Sequence, residues 1–295
     1  EKATYYVPHP LGKNCISYRN IISIAMESSW LLVATFFLGV ILSIRSFSHN
    51  KTINCYVTYI FFCLAMLLTS IVTLPAFLLR PFNYDNTMLL SRVFRACLQP
   101  VVHIRWSVKN GQVLEKDQAA IVVANHQSIF DMMGMAYLWP NMKKCTALVK
   151  KEFWLYPIVG FVAWLAGMIF VDRSNPKEAV KILQAATDTI MADKVKLWFY
   201  PEGTRGDGIK MLPFKKGAFV TAIRIQRPII PIVYSPYYFI DFKNKTFEEE
   251  GHMTISVLDE IPTAGMTEKD IGLLMENTYK VMEAEFNKLS AAVQS

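Results

Sequence analysis

The 295-residue sequence lacks the patterns that mark several common classes of protein. Its five cysteines are scattered and never form a C-x-x-C pair, so they predict neither a disulfide framework nor a structural zinc site. It contains no zinc-finger spacing, no RNA-binding aromatic signature and no long basic run, although the net charge is +7. The basic balance therefore favours an anionic membrane surface or a phosphorylated substrate over nucleic acid as the partner.

The G-x-S-x-G motif of serine hydrolases is also missing, so the sequence marks no covalent nucleophile of that kind. Internal repeats and low-complexity linkers are absent as well. What the chain has in excess is apolar residues, which make up 53 % of it. Soluble domains usually contain about 45–50 %. This excess predicts a membrane segment.

Two long apolar stretches lie in the first third of the chain, at residues 20–44 and 53–79, with a short polar turn between them. Each reaches the length of about 20 residues that spans a bilayer core. We therefore predict a helical hairpin in lipid, and the alternative is a pair of buried core helices. Glu27 is costly at the middle of a bilayer, and Pro75 can kink or end the second helix.

After residue 100 the pattern changes to short β-branched runs that alternate with helical segments. This alternation predicts an α/β fold in which a largely parallel central sheet is flanked by helices. The predicted strands cover residues 101–108, 119–125, 145–150, 167–171, 195–200, 229–234 and 253–258.

Helices are predicted over residues 176–192 and 215–225, and a last one over residues 267–292. The last helix begins at a T-x-x-D sequence, which is a capping box. The chain therefore divides into N-terminal membrane-anchoring helices, residues 1–95, and an α/β domain, residues 96–295.

A polar block that includes His126 and Asp131 follows the second predicted strand directly. The end of such a strand is where α/β folds place their ligands. On one continuous helix, five residues turn through about 500°, so the two side chains would not share a face. We therefore expect a turn, then a helix capped by Ser128, so that the carboxylate reaches the imidazole. Such a carboxylate–imidazole pair activates a hydroxyl. The alternative, which the five-residue separation alone favours, is an aspartate that caps the helix beside a surface histidine.

A second block, residues 200–205, reads Y-P-E-G-T-R and follows another apolar strand. Gly203 permits a tight backbone turn. Exposed amides, the Thr204 hydroxyl and the Arg205 guanidinium would then surround a phosphate, which suits the forked donor of arginine. The plain alternative is a strand-to-loop turn with a solvated arginine.

With both blocks in place, the sequence resembles the glycerolipid acyltransferases, and most closely the 1-acyl-glycerol-3-phosphate acyltransferases. Residues 170–173, 212–219 and 228–233 resemble further blocks of that family in the family's order, and residues 150–152 resemble its basic stretch. The resemblance covers residues 101–258. Tyr200 stands where this family commonly has phenylalanine.

The resemblance implies that a fatty-acyl group moves from acyl-CoA, a co-substrate, to the sn-2 hydroxyl of lysophosphatidic acid, without metal or cofactor. His126 would be the general base and Asp131 the residue that orients it. The residues expected to bind the substrate phosphate are Glu202, Gly203, Thr204, Arg205 and Arg173. The candidate contacts for CoA or lipid headgroups are Lys150, Lys151, Lys215 and Lys216.

Several alternatives stay open. The acceptor could be glycerol 3-phosphate or another lysophospholipid. The protein could also be a non-catalytic membrane adaptor with the same fold. A third alternative is a hydrolase, in which water is the acceptor. Asp172 and Arg173 could form a plain ion pair, and residues 153–170 are either core or the lining of an acyl-chain groove.

The expected partners are acyl-CoA, lysophosphatidic acid and membrane lipids, not nucleic acid. The resemblance implies an integral membrane protein, in the endoplasmic reticulum if the source is eukaryotic or in the inner membrane if it is bacterial.

Overall fold

The computed structural model describes residues 50–99, 102–172, 174–248 and 250–294. The predicted first membrane helix, residues 20–44, lies outside these ranges. The helices are α1 (Lys51–Leu79), α2 (Asp85–Leu98), α3 (Asp131–Leu138), α4 (Pro157–Leu165), α5 (Pro176–Ala192), α6 (Gly217–Ile225) and α7 (Ile271–Gln294). The strands are β1 (Ile104–Lys109), β2 (Ala120–Ala124), β3 (Cys145–Lys150), β4 (Ile169–Val171), β5 (Lys196–Phe199), β6 (Ile229–Tyr234), β7 (Ile240–Asp241), β8 (Thr246–Phe247) and β9 (Gly251–Val257).

The main sheet has the strand order β1-β9-β6-β2-β5-β3-β4. Strands β6, β2, β5, β3 and β4 are parallel neighbours, whereas β9 runs antiparallel to β6 and parallel to β1. The predicted α/β fold with a largely parallel sheet is therefore confirmed. The runs predicted as strands are the strands of this sheet, and the predicted bounds of β3 and β6 agree to the residue.

Helices cover both faces of the sheet, which is why its central strands are apolar along their whole length. Every residue of β2, β5 and β6 is buried. Successive residues of β2 point to opposite faces, so Val122 packs in a core with Phe62 of α1, and Val123 packs in another with Phe219 of α6. The carboxyl ends of β2, β5 and β6 consequently meet at one edge between the two helical layers.

Helix α1 begins at Lys51 and is capped by Asn50, whose side-chain oxygen accepts hydrogen bonds from the backbone of Thr52 and Ile53. It continues through Pro75 to Leu79, so the proline does not end it. One face packs on the α/β domain, and the opposite face exposes large apolar side chains such as Ile60. Within the described residues, α1 is the helix that has the length and composition to cross a membrane.

Helix α2 connects α1 to the first strand and packs against α1 and α3. The predicted boundary between residues 95 and 96 falls inside this helix, and the division into two domains stays a prediction. The sequence analysis did not identify α2, nor the short antiparallel pair β7–β8. The capping box formed by Thr267 and Asp270 is present at the start of the last helical segment, as predicted.

Candidate active site

His126 and Asp131 form a closed pair just beyond the carboxyl end of β2. Nδ1 of His126 lies 2.7 Å from Oδ2 of Asp131. The carboxylate side chain is fully buried, whereas the imidazole side chain is 14 % exposed. A carboxylate only accepts hydrogen bonds, so Nδ1 carries the hydrogen in this contact. Nε2 of His126 makes no hydrogen bond to the described part of the chain and is left to act on a ligand.

The expected turn before the helix is present, and Asp131 shapes it. Helix α3 begins at Asp131, and Oδ2 of this residue also accepts hydrogen bonds from the backbone of Gln127 at 2.7 Å and Ser128 at 3.0 Å. The expected N-cap by Ser128 is wrong, because the helix begins three residues later with Phe130 at the N-cap position, and the Ser128 hydroxyl accepts a hydrogen bond from the backbone of Phe130 within the preceding turn. One carboxylate oxygen therefore both folds the loop and holds the imidazole.

Glu202 joins the loop after β5 to the histidine loop. Its Oε1 accepts a hydrogen bond from the backbone N–H of His126 at 2.7 Å, and its Oε2 accepts one from Leu212 at 2.8 Å. The residue is 3 % exposed. Burial raises the pKa of Glu202 to about 7, although both hydrogen bonds act in the opposite direction. This geometry suits a residue that positions two loops, and the assignment of Glu202 to phosphate binding stays a prediction.

Gly203 stands where the loop turns sharply, with a φ of +71°, which is a conformation that favours glycine. A Cβ at this position would also lie 2.7 Å from Nζ of Lys215, whose side chain crosses the turn. Gly203 and Lys215 line a cavity of about 380 Å³ together with residues of α5 and α6. Lys216 lines the same cavity.

Arg205 and Thr204, by contrast, lie on the same cavity as His126. This cavity, of about 400 Å³, is mostly apolar and lies between α1, α3, α4 and the sheet. Its lining includes apolar side chains outside the segments that the sequence analysis assigned to the site, among them Met66, Trp139 and Trp198. Val162 and Met168 also line it, and they belong to residues 153–170, the segment predicted as core or acyl-chain groove.

Tyr200 is the main site residue whose role the sequence analysis missed. Its ring stacks on the His126 imidazole with the centroids 4.1 Å apart and the planes inclined by 19°. Burial, with a contribution from the Asp131 charge, raises the pKa values of Tyr200, Tyr234 and Tyr237 well above their ordinary range, so these phenols stay protonated. The sequence shows only that Tyr200 directly follows the apolar run of β5, and the pairing of β5 with β2 places it beside His126.

The basic residues expected to meet CoA or lipid headgroups lie in different places. Lys150 lines the His126 cavity. Lys151 instead forms an ion pair with Asp172 at 2.6 Å, and this contact holds the pKa of Asp172 down at about 2. Arg173 lies outside the described residues, so its roles as a phosphate ligand or as the partner of Asp172 stay predictions. The contacts of all these lysines with substrates also stay predictions.

The backbone amides near the histidine are largely occupied. The N–H groups of His126 and Gln127 donate to Glu202 and Asp131, and the N–H of Gly203 donates to the carbonyl of Tyr200 at 3.0 Å. The bond from His126 joins the two loops, and the other two bonds lie within one loop each. The polar residues that line the cavity include Thr204 and Arg205.

The site therefore combines a buried carboxylate–imidazole pair, a cationic side chain in the same apolar cavity and no nucleophile elbow. On an α/β sheet, this combination indicates an acyltransferase. The sequence model of the family described as Acyltransferase matches residues 105–235, which run from the start of β1 to just past the end of β6.

Known proteins of one kind resemble the chain over most of its length. The 1-acyl-sn-glycerol-3-phosphate acyltransferase beta of Homo sapiens is 35 % identical over 191 residues, 65 % of this chain and 68 % of that protein. The alpha protein of Mus musculus is 33 % identical over 226 residues, 76 % of this chain and 78 % of that protein. The chain belongs to the 1-acyl-sn-glycerol-3-phosphate acyltransferase family.

A solved structure shows the same fold. The crystal structure of the 1-acyl-sn-glycerophosphate (LPA) acyltransferase from Thermotoga maritima superimposes with a TM-score of 0.55 at 21 % identity. The match covers 92 % of this chain and 97 % of that one. The arrangement of sheet and helices is therefore shared even where few residues are.

Proposed function

We propose that the protein transfers a fatty-acyl group from acyl-CoA to the sn-2 hydroxyl of lysophosphatidic acid, which gives phosphatidic acid and CoA. The observation that carries the proposal is that His126 and Arg205 line one cavity although they lie on loops far apart in sequence. A base and an anion-binding group are thereby placed together. The names of the relatives, which are acyltransferases for this acceptor, support the choice of lipid.

His126 acts as the general base in this proposal. Nε2 removes the proton from the acceptor hydroxyl, while Asp131 keeps the hydrogen on Nδ1 and stabilises the imidazolium that forms. The hydroxyl oxygen attacks the thioester carbonyl, and the tetrahedral intermediate collapses with loss of the CoA thiolate. The imidazolium returns the proton to that thiolate. No acyl-enzyme forms, and metal and cofactor are not required.

Arg205 is the proposed ligand of the acceptor phosphate. It forms no ion pair and no hydrogen bond with the part of the chain that the structure describes, so its guanidinium is available. A guanidinium fork binds two phosphate oxygens at once. Thr204 lies on the same cavity and adds a hydroxyl donor.

The transferred acyl chain occupies the apolar part of the His126 cavity. Phe153, Val159 and Met168 belong to the segment predicted as either core or acyl groove, and they line this cavity. The thioester carbonyl then lies at the imidazole, and the chain extends between α1 and α4.

Membrane insertion of α1 completes the proposal. Each CH₂ group moved from lipid into water costs about 0.8 kcal/mol, so a chain of about 16 carbons costs more than about 10 kcal/mol. An enzyme that binds both lipids at the bilayer surface avoids this cost. The exposed apolar face of α1 supports this location, and the compartment stays a prediction.

Transfer from radiolabelled acyl-CoA to a panel of acceptors tests the proposed function. The panel contains lysophosphatidic acid, glycerol 3-phosphate, a lysophospholipid without a terminal phosphate monoester, and no acceptor. We expect phosphatidic acid to form from lysophosphatidic acid. We also expect His126→Ala to lower kcat by about 10²–10⁴-fold, which is the usual contribution of a general base.

The matched control is His252→Ala, which removes an exposed histidine of β9 outside the site and should keep wild-type activity. If the protein prefers another acceptor, that acceptor replaces lysophosphatidic acid in the proposal. Release of free fatty acid alone would make the protein a hydrolase, and lack of any transfer would favour the adaptor. Wild-type activity of His126→Ala would remove the base assignment.

A further inference from the structure

A second cavity, of about 870 Å³, borders the active site. It lies between α1, the loop after Arg205 and the segment that follows β6. Its walls are largely aromatic and aliphatic, which makes it a chemically suitable place for a hydrocarbon chain. The apolar side chains of these walls include Tyr59, Ile209, Tyr237, Tyr238, Ile240 and Phe242.

Arg205 and Ile129 line both cavities, whereas His126 lines only the first. Arg205 therefore lies where the two apolar spaces adjoin, on the cavity that His126 also lines. A ligand held by its guanidinium can extend one part toward His126 and another part into the second cavity.

The chemistry of the proposed reaction requires this kind of junction. Phosphatidic acid carries two acyl chains and one phosphate on the same glycerol. Immediately after transfer, both chains and the phosphate must therefore fit around one point. We propose that the second cavity holds the acyl chain that the acceptor already carries, while the His126 cavity holds the chain being transferred. This inference rests on the proposed function and adds to it the binding mode of the acceptor.

The charges around the second cavity are compatible with an anionic lipid. Arg205 and Lys243 supply positive charge. Asp207 and Asp241 also line it, but each carboxylate accepts hydrogen bonds within its own turn, from Ile209 in one case and from the Asn244 amide in the other. Those carboxylates are engaged by the loops, whereas Arg205 forms no ion pair with the described residues.

The rim of the cavity points to an apolar ligand. Ile209 is 79 % exposed and Tyr238 is 56 % exposed, on opposite loops that border the same space. Large apolar side chains exposed together at the edge of a cavity indicate a binding surface. An acyl chain between them would cover both.

Single substitutions Ile209→Ser and Tyr238→Ser test the binding mode, with acceptors that carry an 18-carbon or a 6-carbon chain in mixed micelles of fixed composition. Loss of one such apolar contact corresponds to about a tenfold change in affinity. We expect KM for the long-chain acceptor to rise by roughly tenfold, while KM for the short-chain acceptor, KM for acyl-CoA and kcat stay near wild-type values.

Leu273→Ser is the matched control, because Leu273 is 57 % exposed on α7 and lines neither cavity. Its kinetics should equal those of the wild type. An unchanged dependence on acceptor chain length in both rim variants would overturn the inference. If the rim variants instead change how activity depends on the chain length of acyl-CoA, the inference is also overturned, because the second cavity would then hold the transferred chain.

The two levels of the proposal fail separately. If the unmodified protein makes no phosphatidic acid from lysophosphatidic acid, the proposed function is wrong. If it does so and the rim variants keep the wild-type preference for long acceptors, only the acceptor binding mode is wrong.

Discussion

Glu202 links protonation to the stability of the site. Burial raises its pKa to about 7, whereas a glutamate in an unfolded chain has a pKa of about 4.3. Between these values the folded protein binds a proton that the unfolded chain has released. The free energy of unfolding therefore falls as the pH rises through this window, because the native state then holds a buried charge.

Glu202→Gln removes this titration while keeping the size of the side chain. Relative to the variant, we expect the wild type to lose about 2 kcal/mol of unfolding free energy between pH 5 and 8, since one pKa unit corresponds to about 1.4 kcal/mol. Chemical unfolding in one detergent at four pH values within this range measures the difference.

The exposed Glu152 provides the control, and Glu152→Gln should leave the pH profile parallel to that of the wild type. Parallel profiles for Glu202→Gln and wild type would mean that the carboxylate titrates in the folded protein as it does in the unfolded chain.

At the level of single residues, the sequence predicted contacts that depend on short separations. His126 and Asp131 are five positions apart, and one turn brings them together. The stack of Tyr200 on His126 depends instead on the register of β2 and β5, which pairs Val123 with Phe199. Periodicity in one strand does not define its register with another, so this contact could not be derived from the sequence.

Helix α3 positions Asp131, and Gly134 allows the helix to lie close to the sheet. A Cβ on Gly134 would lie 2.5 Å from the Tyr234 ring and 2.8 Å from the Trp106 ring. Tyr234 is buried in the core cluster and Trp106 packs against that cluster, so neither ring can move freely. The small residue is therefore required by packing rather than by backbone conformation.

Gly134→Ala should destabilise the protein by about 1–3 kcal/mol, because overpacking outweighs the higher helix propensity of alanine. We also expect lower kcat, since displacement of α3 moves Asp131 away from His126. Thermal unfolding and the transfer assay measure the two effects.

Gly272→Ala on α7 is the control, since a Cβ there meets nothing within 4 Å. This variant should be as stable as the wild type or more stable by up to about 1 kcal/mol. If both alanine variants gain stability, the close packing of α3 is not what the glycine provides.

At the level of elements, the buried strands were predictable because long β-branched runs mark strands that are covered on both faces. Strands β7 and β8 have two residues each, which is too short to show alternation. Helix α2 was missed because residues 1–95 were interpreted as one membrane-anchoring unit. Its buried Phe94 and Cys97 lie in one core cluster with Phe62 of α1 and Val122 of β2, so α2 packs against both α1 and the sheet.

At the scale of the whole molecule, apolar side chains are exposed on the outer side of the helices that enclose the active-site cavity. The cavity of His126 lies between α1 and α4. On the outside of these helices, Ile71 of α1 and Ile158 of α4 are 50 % and 42 % exposed, and Leu155, just before α4, is 78 % exposed. With 29 residues, α1 is about 44 Å long, longer than the bilayer core of about 30 Å.

Cys63 tests this arrangement because it is an exposed cysteine on α1, whereas Cys55, Cys97 and Cys145 are buried. A thiol in lipid does not ionise readily and is not reached by a charged maleimide, since the thiolate is the reacting species. In membranes permeabilised so that the reagent reaches both sides, we expect Cys63 to remain unlabelled. Peptide mass spectrometry assigns any label to its cysteine.

Leu273→Cys places a thiol on α7, at a position that is 57 % exposed and faces water in this arrangement. We expect this cysteine to be labelled in the same membranes in which Cys63 is not, and both to be labelled after denaturation in detergent. If Cys63 is labelled as fast as the cysteine introduced at position 273, the outer face of α1 lies in water. The apolar surface around α1 would then need a protein partner instead of a bilayer.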